Sequence, residues 1–441
     1  MALEVLGMLF SVVLLMVLVY RGFNVIVVGI VCSILLMALT GVPLVEGLAS
    51  FSGGAGGFMV AMMTIYIVGT ILGEIYSVTG ASASIAKSLM GKLKGNREHA
   101  SPLIAISIVY TVASILVFGG VHVVALNFIL VPLTLPLMKE SNIPRAMCPA
   151  IVIGAAFAGA ISLPFAPTTT NAVAPQFLGT TPAAGMVAGF IAGIFVIVLN
   201  ITLLTLIAKR LNAKGIGFTG GVTSGDTEDG DDTLKTPPNP WIAAIPLAII
   251  FILFNAFSLH IVYSILIGSA VAVVLLRNHF DGLKGITSAL GKGAENSGVI
   301  LIAGAVMGGF GGVIAVTNAF GAFAGALVNF QGPPLLVVSA TMMGVTAVSG
   351  TAPAGLTIGL TMFNEIFMDM GASAEAIHRV GGFATNVFDT LPSNAVFIAI
   401  ATLSGLTIRQ SYKYVAVTTV LATGLGAILV AVLMTAFPGW Y

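Results

Sequence analysis

Charge is the scarcest property of this chain. Lys, Arg, Asp and Glu supply only 7% of its 441 residues, where a soluble domain carries roughly 25%. So few charges cannot cover a water-facing surface. Only two cysteines are present, Cys32 and Cys148, each in or beside an apolar segment and far apart, which excludes a disulfide framework and points to no metal site. The net charge of +1 leaves no basic surface for nucleic acid. HExxH, Walker A and nucleophile-elbow motifs are all missing, so no catalytic residue, cofactor or metal is expected. An ATP-driven transporter would need a nucleotide-binding domain, and this chain carries none. Residues 2–20 have Glu4 in place of a basic n-region, and no small-residue cleavage site follows. They read as a first transmembrane helix rather than a signal peptide.

What the chain has in excess is apolar sequence, at 58%. Many runs approach the roughly 20 residues that span a bilayer as a helix. They fall at about 2–20, 22–40, 58–79, 101–118, 121–138, 147–165, 182–208, 240–258, 261–276, 297–316, 335–349, 355–369, 380–391, 394–408 and 411–436. The alternating ten-residue segments of a membrane barrel are absent. The fold class is an all-α polytopic membrane protein. One long polar stretch, 209–239, contains GDTEDGDD and TPPNP and reads as a solvated linker. It divides the chain into residues 1–208 and 240–441.

Basic residues set the orientation. Sixteen of the 17, all but Arg379, fall on one side if about 101–138 and about 335–369 are hairpins that enter and return. The linker is then cytoplasmic and both termini are outside, in a multi-pass protein of the inner (cell) membrane. The halves also resemble one another. GEIYSVTGASASIAKSL at 73–89 aligns with GGVIAVTNAFGAFAGAL at 311–327, at a constant offset of 238. On the charge threading the two copies run in opposite directions. That predicts an inverted-topology repeat with two hairpins and broken helices, the architecture of secondary transporters.

The breaks carry the functional reading. LPFAPTTTNAV at 163–173 and DTLPSNAV at 389–396 interrupt apolar segments with proline and polar residues. Bare backbone in lipid costs several kcal/mol per unsatisfied group, so such breaks face protein or a water-filled cavity. Thr168, Thr169, Thr170 and Asn171, and Ser393 with Asn394, suit helix N-caps. The N–H groups at such starts attract anions. The hairpin tips carry Gly119–Gly120 and Ser349–Gly350–Thr351, where glycine lets backbone approach a ligand. Four breaks meeting near the midplane would form a site rich in donors and poor in charge, suited to a carboxylate. The alternative reading is that they are structural kinks.

The stretch DTLPSNAVFIAIATLSGLTIRQSYK at 389–413 resembles the gluconate permease (GntP-type) family, in which a D-x-LPHN-GA element precedes G-L-T-x-R-Q-x-Y-K. Asp389, Leu391, Pro392 and Asn394 match, as do Gly405, Leu406, Thr407, Arg409, Gln410, Tyr412 and Lys413. Residues 162–194 resemble the family's first-half break in pattern. The resemblance implies symport of gluconate, another sugar acid or a small hydroxy acid, usually with protons. It also implies a transport domain moving like an elevator against a scaffold, and a homodimer. Ser393 stands where the family has His, and Ala395 where it has Gly. The missing imidazole counts against proton coupling at that position and against gluconate itself.

Carboxylates inside apolar segments are functional candidates. Asp389 is placed either to hold a cation or proton or to serve as a structural acceptor. Glu74 is either an ion-coupling group or a helix-pairing one. His122 can donate to a carboxylate, carry the coupling proton, or bond a backbone carbonyl. Glu365 and Asp369 read as solvated. Arg379 meets the anion on entry or anchors at headgroups. The substrate-binding set is Gly119, Gly120, His122, Thr169, Thr170, Asn171, Ser349, Gly350, Thr351, Ser393 and Asn394. Asp389, His122 and Glu74 form the ion-coupling set, with H⁺ or Na⁺ as the ion. The expected partners are a small organic anion and the lipid bilayer. The expected function is a secondary active symporter that imports a small organic acid. The rivals are an anion channel or facilitator, a non-transporting sensor, and an intramembrane hydrolase pairing Ser349 or Ser393 with His122.

Overall fold

The computed structural model describes residues 2–94, 100–118, 123–159, 163–166, 168–218, 237–255, 257, 259–328 and 332–440. These residues form helices and connecting turns, with no strand among them. Among the described residues, four helical stretches are long and apolar enough to cross a bilayer, namely Ala2–Tyr20, Met186–Ala213, Gly282–Ala315 and Ile408–Ala436. Several shorter apolar helices accompany them. The protein is a polytopic α-helical membrane protein.

In the first half the helices are α1 Ala2–Tyr20, α2 Val25–Thr40, α3 Leu44–Val78, α4 Ala81–Lys94, α5 Pro102–Phe118, α6 Val123–Glu140, α7 Cys148–Ile153, α8 Thr169–Leu178 and α9 Met186–Ala213. In the second half they are α10 Pro240–Asn255, α11 Ile261–Leu275, α12 Gly282–Ala315, α13 Asn318–Val328, α14 Pro334–Ser349, α15 Ala352–Asp369, α16 Ala374–Val387, α17 Ala395–Leu403, α18 Ile408–Ala416 and α19 Gly424–Ala436. Each element of one half has a counterpart in the other. The long α3 matches α12, the α5–α6 hairpin matches α14–α15, and the short α8 matches α17. The last helix of the second half is divided into α18 and α19 by a π-helical stretch, Val417–Thr423.

The two long helices lie side by side. Ser50 meets Gly312, Gly54 meets Gly308, Phe58 meets Gly304 and Ile71 meets Gly293. One number rises as the other falls, so α3 and α12 are antiparallel, as corresponding members of an inverted repeat must be. Residues 62 and 300, one repeat offset apart, fall at the centre of this run. Glycine is what lets the backbones approach. A Cβ on Gly54 would strike the Gly308 carbonyl oxygen, and one on Gly293 would lie 2.6 Å from the Ile71 Cα.

This contact also explains a difference from the sequence reading. Residues 44–57 and 282–296 are helical, although glycine and polar side chains hide them from a hydropathy pattern. Packing against the partner helix outweighs the helix cost of each glycine, about 1 kcal/mol.

The buried apolar side chains fall into two clusters. One joins α3–α7 to α10, α11, α17, α18, the end of α9 and the first part of α12. The other joins α12–α16 to α1, α2, α8, α9 and α19. Exchanging the halves converts most of one set into the other, with α9 and α12 contributing to both.

The basic segments gather at one end of the bundle. The Arg145 N–H donates to the Phe218 carbonyl at 3.4 Å, which joins the 139–145 turn to the start of the linker. Ser84, next to the 87–97 segment, bonds the Pro238 carbonyl at the linker's far end. Arg145 Nε donates to the Ser404 carbonyl at 3.0 Å. Tyr20, beside Arg21, stacks edge-on with Tyr412 at 6.2 Å between ring centroids.

Gly54→Ala should lower the thermal midpoint of the detergent-solubilised protein, by about 1–3 kcal/mol of stability, because its methyl group meets backbone. Gly57→Ala, three residues on and facing open space, should be neutral or stabilising by up to about 1 kcal/mol. Equal effects would show that the α3–α12 approach does not depend on Gly54.

Candidate functional site

The second break folds as a clasp. Asn394 has extended backbone and caps α17, its Oδ1 accepting from Val396 N–H at 2.8 Å and Phe397 N–H at 3.1 Å. Its Nδ2 donates to the Gly350 carbonyl at 3.1 Å and lies 3.5 Å from Asp389 Oδ1. Asp389 is buried, and its Oδ1 accepts from Ala352 N–H at 2.8 Å. The break therefore grips the hairpin tip on both sides of Thr351. Gly350 takes the left-handed conformation, φ 84°, that closes α14. Thr351 caps α15 by accepting from Ala354 N–H at 3.4 Å.

Most amide donors at these half-helix starts are therefore taken by the protein's own caps. Asp389 supplies the anion that the positive end of α15 attracts. The groups left open are hydroxyls. Ser349 Oγ is buried without a hydrogen-bond partner, and no hydrogen bond engages the Ser393 hydroxyl among the described residues. Both line a cavity of about 430 Å³ between α1, α3, α12 and the second hairpin tip, together with Gly350, Thr351 and Asn394.

A second cavity, of about 560 Å³, lies toward the other end of the α3–α12 pair. It occupies the place related to the first by exchange of the halves, but its chemistry differs. Glu74, Glu295, Asn296 and Thr402 line it, and Lys292 acts on Glu74 as a neighbouring charge. The repeat counterparts of Glu74, Glu295 and Asn296 are Gly312, Gly57 and Phe58. An anion is disfavoured beside the two carboxylates, whereas the first cavity has no charged residue in its described lining.

The first break is bound elsewhere. Thr168, not Asn171, caps α8, accepting from Asn171 N–H at 3.4 Å. Asn171 Nδ2 donates to the Leu163 and Ala166 carbonyls, each at 2.9 Å. Its Oδ1 accepts from Arg379 at 3.2 Å and lies 3.4 Å from His378 Nε2. Thr170 is buried beside Thr168, 3.2 Å between hydroxyl oxygens. Thr169 is the first residue of α8, and its side chain lies outside the described part. Neither Thr170 nor Asn171 lines either cavity.

Arg379 is no headgroup anchor, being only 1% exposed. It donates to the Ala184 carbonyl at 2.8 Å and to that of Pro182 at 2.9 Å. This binds the turn after α8 to α16, and sequence reasoning missed it. The signal was an arginine inside an apolar segment, which calls for buried acceptors. Gly119, Gly120 and His122 lie outside the described residues. The structure thus brings Ser349, Gly350, Thr351, Ser393, Asn394 and Asp389 together, and keeps Glu74 in the other cavity.

The GntP family permease model matches residues 3–262. The chain is 24% identical to the uncharacterized transporter YxjC of Bacillus subtilis, covering 95% of this chain and 96% of that one. It is 26% identical to an uncharacterized transporter of Haemophilus influenzae, over 82% of each. Among solved structures it is similar to the Alcanivorax borkumensis YdaH transporter, whose crystal structure reveals an unusual topology. That match has a TM-score of 0.43 and 17% identity, covering 94% of this chain and 98% of the other.

Asn394→Ala removes both the α17 cap, worth about 1 kcal/mol, and the bond to Gly350. The expected result is a lower thermal midpoint and faster amide hydrogen exchange across 350–354. Asn394→Asp keeps the capping acceptor but loses the Gly350 donor, so exchange should rise with a smaller loss of midpoint. Unchanged exchange in both variants would mean that the tip is held by other contacts.

Proposed function

The chain belongs to the GntP family of permeases and is a membrane transporter; from that premise we infer that it is a symporter, importing a small organic acid anion such as a sugar acid or hydroxy acid together with H⁺ or Na⁺. The observation that carries this reading is the clasp. Ser349 and Ser393, at a hairpin tip and a helix break, line one cavity with hydroxyls that no described residue engages, and a buried carboxylate, Asp389, is bonded to the same tip.

Charge balance supports coupling. Asp389 makes its hydrogen bonds to neutral groups, and no basic side chain lines the cavity among the described residues. A substrate carboxylate would add a second negative charge in a poorly solvated site, which is costly unless paired. A proton on Asp389, or a Na⁺ beside it, removes that cost. The cation then favours the anion, and by linkage the anion favours the cation equally.

Alternating access would follow from movement of the hairpins and breaks against α1–α2 and α10–α11, as in an elevator. The two cavities, one toward each end of the α3–α12 pair, suit such a cycle. The bundle end carrying Lys87, Lys139, Arg145, Lys214 and Arg409 would face the cytoplasm by the positive-inside rule. That orientation puts both termini outside and leaves residues 1–208 and 240–441 as the two repeats. Glu74 would serve the cation on the acidic side, and a homodimer is the expected assembly.

The test is uptake of a labelled small organic acid by proteoliposomes under imposed H⁺ or Na⁺ gradients. Accumulation against its own gradient, with one ion and not the other, is the expected outcome. In Asp389→Asn, the amide oxygen can still accept from Ala352 N–H, so the clasp survives while the charge is lost. This variant should bind substrate yet lose gradient-driven accumulation. Normal accumulation by it would remove Asp389 from coupling, and uptake that never runs uphill would make the protein a facilitator or channel.

A further inference from the structure

We propose that the cavity selects monocarboxylates with a compact aliphatic body and at most one hydroxyl, and that it rejects polyhydroxylated sugar acids. This rests on the assignment of substrate to the clasp cavity, and it narrows the class of acid carried.

The argument is a census of hydrogen-bonding groups. Of the 23 described residues lining the cavity, only Ser349, Thr351, Ser393 and Asn394 have polar side chains, and all four sit on one wall. Asn394 is committed to α17, Gly350 and Asp389, whereas Thr351 accepts from Ala354 N–H and keeps its own O–H to donate. Three hydroxyls can still donate, those of Ser349, Thr351 and Ser393, enough for the oxygens of one carboxylate and one further polar group. The facing walls are Leu15, Phe58, Met307, Phe310, Ile314 and Ile358, with glycine and alanine between them. They offer contact to a hydrocarbon body and no partner for a hydroxyl.

The related cavity sharpens the point. There the place of Phe58 is taken by Asn296 and that of Gly57 by Glu295. The same framework can thus carry polar groups at these positions, and the clasp cavity does not. The Phe58 ring lies against Gly304, where a Cβ would displace it, so the apolar wall is seated in a slot on α12. Gluconate would bring five hydroxyls against these walls. Each one stranded without a partner costs about tenfold or more in affinity. Discrimination of this kind comes from unpaired polar groups rather than from size.

The experiment measures binding to the full chain in detergent, and uptake in proteoliposomes, for butanoate, hexanoate, 2-hydroxybutanoate and gluconate. The first three should bind at least about tenfold more tightly than gluconate and should block each other's uptake. Phe58→Asn, which copies the related cavity, should shift the ratio toward gluconate. The wild-type ratio decides the matter even if that variant fails to fold. Gluconate binding as tightly as butanoate, or more so, would overturn the selectivity while leaving the cavity as the carrier site. Failure of Ser349→Ala and Ser393→Ala to weaken any of the four acids would instead overturn the assignment of the cavity itself.

Discussion

The close approach of α3 and α12 is the constraint on which the rest of the molecule depends. Two helices of 35 and 34 residues meet backbone to backbone because glycine recurs on both. In lipid there is little hydrophobic drive between helices, so association rests on van der Waals contact and small residues gain the most from it. Here the contact also fixes symmetry. An antiparallel pair of equivalent helices has a two-fold axis through its centre, and every element attached to one is repeated, inverted, on the other. The two buried clusters and the two cavities follow from that geometry.

A framework built this way must still satisfy the backbone where its helices stop. The two halves do so differently. The second break uses short local reach: Asn394 caps its own helix and holds Gly350, and Asp389 takes the first amide of α15. The first break uses a long side chain from elsewhere. Arg379, on α16 of the other half, extends to the carbonyls of Pro182 and Ala184 and to Asn171. A guanidinium offers five donors in a fixed fork, so one residue can secure a whole turn. Thr168, Thr170 and Asn171 are thereby withdrawn from the cavities, while Ser349 and Ser393 keep open hydroxyls. The symmetry of the fold does not extend to the chemistry of its breaks.

Much of this was legible in the sequence. The shortage of charge identified the bilayer, the distribution of Lys and Arg brought distant segments to one end, and the 238-residue offset revealed the pair that proves to be α3 and α12. The four breaks were read as meeting in one site. The break at 389–396 and the tip at 349–351 do meet, the break at 163–173 is bound to α16 instead, and the tip at 119–122 lies outside the described residues. Other features were hidden for physical reasons. Residues 44–57 are helical because of a partner 250 residues away, which no local pattern registers. The family-like GLTIRQ stretch is a helix junction. Gly405 turns the chain with φ 65°, and Thr407 and Gln410 form a capping box on α18. The most recognisable motif is therefore structural. The apolar cavity wall is built from α1, α3, α12 and α15, so no single stretch of sequence announces it.

The contrast between the cavities bears on how a carrier of this shape would handle charge. An anion entering the clasp cavity finds hydroxyls and, among the described lining residues, no cation, with Asp389 bonded to the same tip. Its affinity would then depend on a positive charge arriving at the same time, which makes coupling a consequence of what the lining omits. At the other end of the helix pair the walls carry Glu74 and Glu295 with Lys292 nearby. That environment repels an anion and attracts its counter-ion. In a cycle between such environments the anion has no resting place on the acidic side, so it would leave there, and the cation would be the slower to follow. The same two carboxylates would disfavour re-entry of the anion from that side. The placement of charge on a symmetric frame would set the relative affinities at the two ends, while the ion and substrate gradients would set the direction of net transport.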